Sequence, residues 1–261
     1  MAADLLDRIV ASKHQEILRL PPVDRAALRD LPRCRGFRAA LSRPAGTAIR
    51  VIAECKKGSP SKGILAPDYD PVLIAYQYVL GGAQCLSVLT DEQYFFGSLS
   101  HLTQVRASVQ LPLIRKDFII DERQIAQARL AGADCILLIV ACLEDGLLRD
   151  LQGFAKDLGL DVLVEVHNAD EAARALKTGC DLVGVNNRNL KDFSVSLQTT
   201  YDLLPGLLGG KRVVVSESGI TTREQCRALE QAGVDAVLVG EAFMVSADPA
   251  SEIKKLRGAL A

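Results

Sequence analysis

The sequence has no C-x-x-C pair, no basic excess, no apolar run of membrane length and no histidine cluster, and each absence removes a class of function. Its seven cysteines (34, 55, 85, 135, 142, 180 and 226) are scattered, four of them in or beside strand-like apolar runs. That usage argues for buried thiols in a reducing cytosol rather than a disulfide framework. A formal net charge of −1 lacks the basic surplus by which a nucleic-acid partner announces itself. The longest apolar run, Cys135 to Leu143, falls far short of the roughly 20 residues that cross a bilayer. Asp4 and Asp7 interrupt the first apolar residues, against a signal peptide. His14, His101 and His167 are not spaced as metal ligands, and no acidic or thiolate cluster joins them. What remains is the expectation of a cytoplasmic chain of 261 residues, 49% apolar and 24% charged, with material for one large core.

What is present is a repeat. Gly82-Ala83-Gln84-Cys85, Gly132-Ala133-Asp134-Cys135, Gly179-Cys180-Asp181-Leu182 and Gly233-Val234-Asp235-Ala236 each open an apolar strand, and each follows a helix-like segment. Such a pattern reads as a helix stopped by a left-handed glycine, a tight turn and a buried strand. The glycines recur roughly every fifty residues, about twice the length of one strand–helix unit, so each interval should hold a second strand. Pro112 to Lys116, Val162 to Val166 and Arg212 to Glu217 supply these, and Ile49 to Lys56 precedes the first copy. Eight apolar strands alternating with helices predict an α/β fold, a closed (β/α)8 TIM barrel, with residues 1–48 as a helical N-terminal extension of the same domain. Helical spacing at 4–19 and shorter pieces at 24–30 and 36–41 make up that extension, expected to fold over one end of the barrel. In the first helix Lys13 and Glu16 fall on the polar side.

The active end of such a barrel lies at the carboxyl ends of its strands. Strand residues alternate between faces, so Glu54 and Lys56 share the inner face of the first strand. Lys116 and Phe118 lie inward on the third, Glu165 and His167 on the fifth, Gly184, Asn186 and Arg188 on the sixth, and Glu217 on the seventh. One charged strand tip is commonly an ordinary ion pair. Charges from five strands at one rim point instead to a reaction site in which burial and mutual charge tune protonation. Lys57 and Arg115 have outward parity and are expected solvated or paired, and Asp117, also outward, is expected to cap a helix. Glycines after the seventh and eighth strands (Ser218-Gly219 and Gly240-Glu241), leading into short helical turns, suit a phosphate held by backbone N–H groups. Phe95 and Phe118, on loops at the mouth, offer a slot for a planar ring. The residues unaided reach this far: a phosphate at one end and an aromatic slot at the other.

These blocks resemble the indole-3-glycerol-phosphate synthase family. The likeness is carried by Ile52-Ala53-Glu54-Cys55-Lys56-Lys57 with Ser59-Pro60-Ser61-Lys62-Gly63, by Leu89-Thr90 with Tyr94 to Ser98, and by 113–118, 163–168, 184–190 and 216–220, over about residues 5–257. The resemblance implies a cofactor-free reaction of tryptophan biosynthesis. In it 1-(2-carboxyphenylamino)-1-deoxyribulose 5-phosphate loses CO2 and water as its aryl carbon closes onto the ketone. It implies Lys116 as general acid and Glu165 as the acid/base of the later proton removal. Glu54, Lys56, Asn186, Glu217 and Ser218 would orient the sugar hydroxyls and charged groups. Ser59 and Arg188 would lie near the anthranilate carboxylate, Phe95 and Phe118 against the ring, and Gly219, Gly240 and Glu241 around the phosphate. Some members carry Ser where this chain has Glu241. The partner expected is this phosphorylated small molecule, with no nucleic acid, no membrane, and a monomer as the working form. Two alternatives are set beside it. Phosphoribosylanthranilate isomerase resembles it in fold but uses a Cys on strand one and an Asp on strand six, where this chain has a helix-facing Cys55 and Asn186. A barrel that binds without catalysis would usually have lost one of the strand-end charges, and none is missing here.

Overall fold

The computed structural model describes residues 5–44 and 46–259, so Asp4 lies outside it. Three helices come first: α1 (Leu5–Ile17), α2 (Arg25–Arg29) and α3 (Phe37–Leu41). The first barrel strand, β1 (Arg50–Cys55), runs into a small antiparallel hairpin, β2 (Gly58–Ser59) with β3 (Gly63–Ile64), where a plain loop was expected. The other barrel strands are β4 (Cys85–Leu89), β5 (Leu113–Lys116), β6 (Cys135–Ile139), β7 (Asp161–Val166), β8 (Leu182–Asn186), β9 (Val213–Glu217) and β10 (Ala236–Val239). All eight pair in parallel, and β10 returns to β1 to close the barrel. The connecting helices are α4 (Pro71–Gly81), α5 (Leu99–Ser108), α6 (Glu122–Leu130), α7 (Asp145–Asp157), α8 (Ala169–Lys177), α9 (Gln198–Leu207) and α10 (Arg223–Ala232). The chain continues through α11 (Glu241–Met244) and α12 (Pro249–Arg257). The expected eight strands and their order are all present.

The repeated glycine behaves as its context requires: Gly82, Gly132, Gly179 and Gly233 all take positive φ, between 70° and 102°. The polar residue that follows has a structural task. The Asp134 carboxylate accepts the Leu113 N–H at 2.8 Å, Asp235 accepts the Val214 N–H at 2.9 Å, and Gln84 accepts the Val51 N–H at 2.8 Å. Each thereby ties a helix–strand turn to the start of the preceding barrel strand, satisfying a backbone donor that water cannot reach. Asp181 differs, pairing with Arg38 at 3.1 Å.

Alternation sorts the strand residues into two cores. Val51, Ala53 and Cys55 pack outward against helices, while Ile52, Cys85, Ile114, Leu163, Val215 and Leu238 fill the barrel. Phe37 and Leu41 of α3 join this inner group, fully buried, and plug the end where the strands begin. The Arg35 and Arg38 N–H groups fix the plug by donating to Asp134 (2.7 Å) and Asp161 (2.8 Å). At the opposite end Leu5, Leu6 and Ile9 of α1 line the cavity at the strand C-termini. The N-terminal helices thus cover both ends of the barrel rather than one. Helix α1 also stops at Ile17, short of 19, and its Lys13 is 1% exposed rather than solvated.

Candidate active site

The inner-face residues continue past the apolar layers into a cavity of about 560 Å³ at the C-terminal ends of the strands. Every candidate from the sequence lines it: Glu54, Lys56 and Ser59; Phe95; Lys116 and Phe118; Glu165; Asn186 and Arg188; Glu217, Ser218 and Gly219; Gly240 and Glu241. Strand register brings them level, with Glu165 beside Gly184, and Asn186 beside Glu217. Two glycines make the room. A Cβ at Gly184 would collide with Glu217 Oε1, and one at Gly240 would come within 2.5 Å of Glu54 Oε1.

Lys116 is the centre of the charge network. Its Nζ donates to Glu217 Oε2 at 2.8 Å and lies 3.4 Å from Glu165 Oε2. Burial would lower its pKa, but Glu217, Glu165 and Glu54 outweigh that and hold the ammonium charged. Burial would raise Glu165, yet Lys116, His167 and the Asn186 amide (Nδ2 to Oε1, 3.2 Å) pull it down to about 2. Glu217 goes the other way, to about 7. Burial and the neighbouring Glu165 and Glu54 carboxylates press it upward against the opposing pull of Lys116. Its Oε1 has no hydrogen-bond partner among the described residues. Glu54 is held below its ordinary value: burial opposes this, and Lys56 (Nζ to Oε1, 3.0 Å) and Lys116 prevail. Two like-charged carboxylates with opposite shifts around one lysine are a pattern suited to proton transfer.

Asn186 links this network to the next turn. Its Oδ1 accepts the Ser218 hydroxyl at 2.9 Å and the Arg188 N–H at 3.0 Å. Ser218 takes φ 68°, a left-handed conformation disfavoured for a side chain with a Cβ, and Gly219 follows at 80°. Gly219 leads through a loop into α10 without the short helical turn expected, whereas Gly240 does lead into the four-residue α11. Glu241 lies 3.6 Å from Lys62 of the β2–β3 hairpin. The Phe95 and Phe118 rings stand 6.0 Å apart, inclined by 37°. The Arg188 guanidinium donates to the Phe193 carbonyl at 3.4 Å.

Several participants escaped the sequence reading. Buried Asn187 donates to Ser216 Oγ and to the Ser218 carbonyl, both at 3.0 Å, and so holds the strained turn. His167 lies on the inner face that strand parity gives it, beside Glu165. Its Nδ1 is 3.0 Å from Glu171 and its Nε2 is 3.3 Å from Glu165. Burial disfavours its charge, but the two carboxylates raise it to about 10. Asp117 does not cap a helix, for Asp121 caps α6. It is buried instead, accepting from Thr90 at 2.5 Å and Arg115 at 3.0 Å, and these with Lys13 hold it near 2 against its burial. Arg115 is paired, as its outward parity allowed.

A family model described as indole-3-glycerol phosphate synthase matches residues 6–256. A protein of that name from Chromobacterium violaceum is 50% identical over 260 residues, covering 97% of this chain and 98% of the relative. Another, from Laribacter hongkongensis, is 47% identical and covers 97% and 99%. Among solved structures, a 3-hexulose-6-phosphate synthase superposes with TM-score 0.62 at 18% identity, covering 82% of this chain and 100% of its own. A mutant tryptophan synthase alpha-subunit from Pyrococcus furiosus gives 0.62 at 14% identity, covering 81% and 99%. At such identities these two share the fold.

Proposed function

This chain belongs to the indole-3-glycerol phosphate synthase family, and from that membership we propose how its residues divide the work. The reaction is the decarboxylating, dehydrating ring closure of 1-(2-carboxyphenylamino)-1-deoxyribulose 5-phosphate to indole-3-glycerol phosphate, a carbon–carbon lyase step of tryptophan biosynthesis. Lys116 is the general acid. As the aryl carbon bonds to the ketone carbon, negative charge grows on the ketone oxygen, and a pre-set ammonium there lowers the barrier. The aryl carbon that gains the bond sheds CO2, and the new hydroxyl, given a second proton from solvent, leaves as water. Glu165, ionised in the free enzyme, takes the proton that aromatisation releases. Asn186 aims it, and Ser218, Glu54, Lys56 and Glu217 hold the sugar hydroxyls and charged groups. Ser59 and Arg188 receive the anthranilate carboxylate, Phe95 and Phe118 its ring, and Gly219, Gly240 and the Glu241 N–H the phosphate. The scheme calls on no cofactor and needs one chain. We read that chain as a single cytoplasmic domain with residues 1–48 as its extension, a reading supported by seven free thiols and by α1 and α3 seated on the barrel.

The observation that carries the scheme is the Lys116 ammonium, poised between Glu165 and Glu217 on the cavity wall. The test is indole fluorescence during turnover of the ribulose phosphate. Lys116→Ala should abolish the signal while the circular dichroism spectrum stays that of the native enzyme. Undiminished turnover in that variant would remove Lys116 from its role and leave the family unaffected.

A further inference from the structure

We infer that Lys13 of the N-terminal helix is a positioning residue that sets the aromatic slot by holding together the two loops that carry Phe95 and Phe118. This rests on the reading that those rings receive the aryl end of the substrate.

The Lys13 side chain is 1% exposed, and its Nζ lies 2.7 Å from Asp91 Oδ2 and 2.9 Å from Asp117 Oδ1. Glu16, on its own helix, is a third neighbour at 2.9 Å and is half exposed. The two buried carboxylates come from different strand ends, and each grips the backbone of an aromatic. Asp91 Oδ1 accepts the N–H groups of Tyr94 (2.7 Å) and Phe95 (3.1 Å), and the Asp91 carbonyl accepts that of Gly97 at 2.7 Å. Asp117 stands between Lys116 and Phe118, and its Oδ1 accepts the Phe118 N–H at 2.9 Å. One ammonium therefore bridges both halves of the slot.

The charge balance shows why this contact matters beyond docking α1. Two buried carboxylates face two buried cations, Lys13 and Arg115, but Arg115 pairs with Asp117. Asp91 Oδ2 has no hydrogen-bond partner among the described residues and relies on the Lys13 charge beside it. Without Lys13, Asp91 is a buried carboxylate without a counter-ion, which must turn toward water or take up a proton. Turning releases the Tyr94 and Phe95 backbone, and protonation weakens the charge-assisted bonds to it. A tether for the helix alone needs one carboxylate, whereas this ammonium takes one from each ring-bearing loop.

The experiment is steady-state kinetics of the full chain with the ribulose phosphate, alongside thermal unfolding, for Lys13→Met, Lys13→Met/Asp91→Asn, Asp91→Asn and Phe118→Ala. Lys13→Met should raise KM roughly tenfold with kcat changed by no more than about threefold, as displacement of a binding group does. The double variant, which removes the stranded charge, should recover most of that KM. Asp91→Asn, in which Lys13 keeps Asp117 and Glu16, should fold and raise KM about threefold, so the inference stays testable if Lys13→Met does not fold. A lower melting temperature with unchanged KM in both single variants would make Lys13 a structural clamp and overturn the inference. Phe118→Ala separates the premises. Unchanged KM there would remove the slot itself, whereas a raised KM there with an unchanged one in Lys13→Met would remove only the part given to Lys13.

Discussion

Asp134 and Glu217 are both enclosed carboxylates at strand ends, yet their surroundings are opposite. Asp134, where the strands begin, accepts from the Arg35 and Leu113 N–H groups and from the Arg106 guanidinium, all within 2.8 Å. Glu217, where the strands finish, has one oxygen on Lys116 and the other without a hydrogen-bond partner among the described residues, and shares its cavity with Glu54 and Glu165. The first arrangement commits a charge to the backbone and leaves nothing for a ligand. The second turns a carboxylate paired to Lys116 toward a cavity that it shares with two others. On the proposed roles, the fold separates the work of stability from that of catalysis by about the length of a strand, and a mutation at either end should register mainly in one of the two.

The strongest way to break this comparison is at the mouth. Glu165→Gln should lower kcat by roughly 10²–10⁴ while the melting temperature stays close to native. A large loss of stability with it would show that the mouth, too, holds the barrel together. The converse is Asp134→Ala, which strands Arg106, the buried Leu113 N–H and the partly buried Arg35 N–H. It should cost about 3 kcal/mol in urea unfolding with kcat within about twofold of native. A catalytic defect of the folded enzyme would end the separation from that side. The finest probe is pH. Glu217 holds its proton more tightly folded, at about 7, than unfolded, at the ordinary 4.5. Between those values the native chain binds the extra proton, so its contribution to stability falls as pH rises through the window. Glu165, shifted to about 2, acts in the other sense, its contribution being present above 4.5 and lost as pH falls toward 2. Melting temperatures of Glu217→Gln from pH 4.5 to 7 should decline less steeply than those of the native enzyme, and parallel curves would contradict the raised Glu217.

The barrel was legible because its cause is periodic. Four glycine turns and alternating strands fix the number of strands, their order and which side chains look inward, and parity alone brought Glu54, Lys116, Glu165, Asn186 and Glu217 to one rim. The parts that escaped have causes that no local pattern encodes. Lys13 sits at a polar position of its helix and is buried because Asp91 and Asp117 arrive from elsewhere. Asp117 looked like a cap because caps are common near helix starts, but Asp121 already held that place. Asn187 has outward parity, and its task depends on the left-handed turn at Ser218, where a serine rather than a glycine stands. The β2–β3 hairpin is two residues on each side, too short to leave an alternation in the letters.

The tether on α1 has a consequence for synthesis. This helix is the first described element to leave the ribosome, yet the carboxylates that receive its ammonium follow β4 and β5 in the chain. Until translation has passed Asp117, the nascent Leu5, Leu6 and Ile9 have no mouth to cover and Lys13, with Glu16 beside it, lacks its full pair of buried carboxylates. A segment made before the barrel is thus among the last to settle, and the growing chain must carry its apolar face exposed in the meantime.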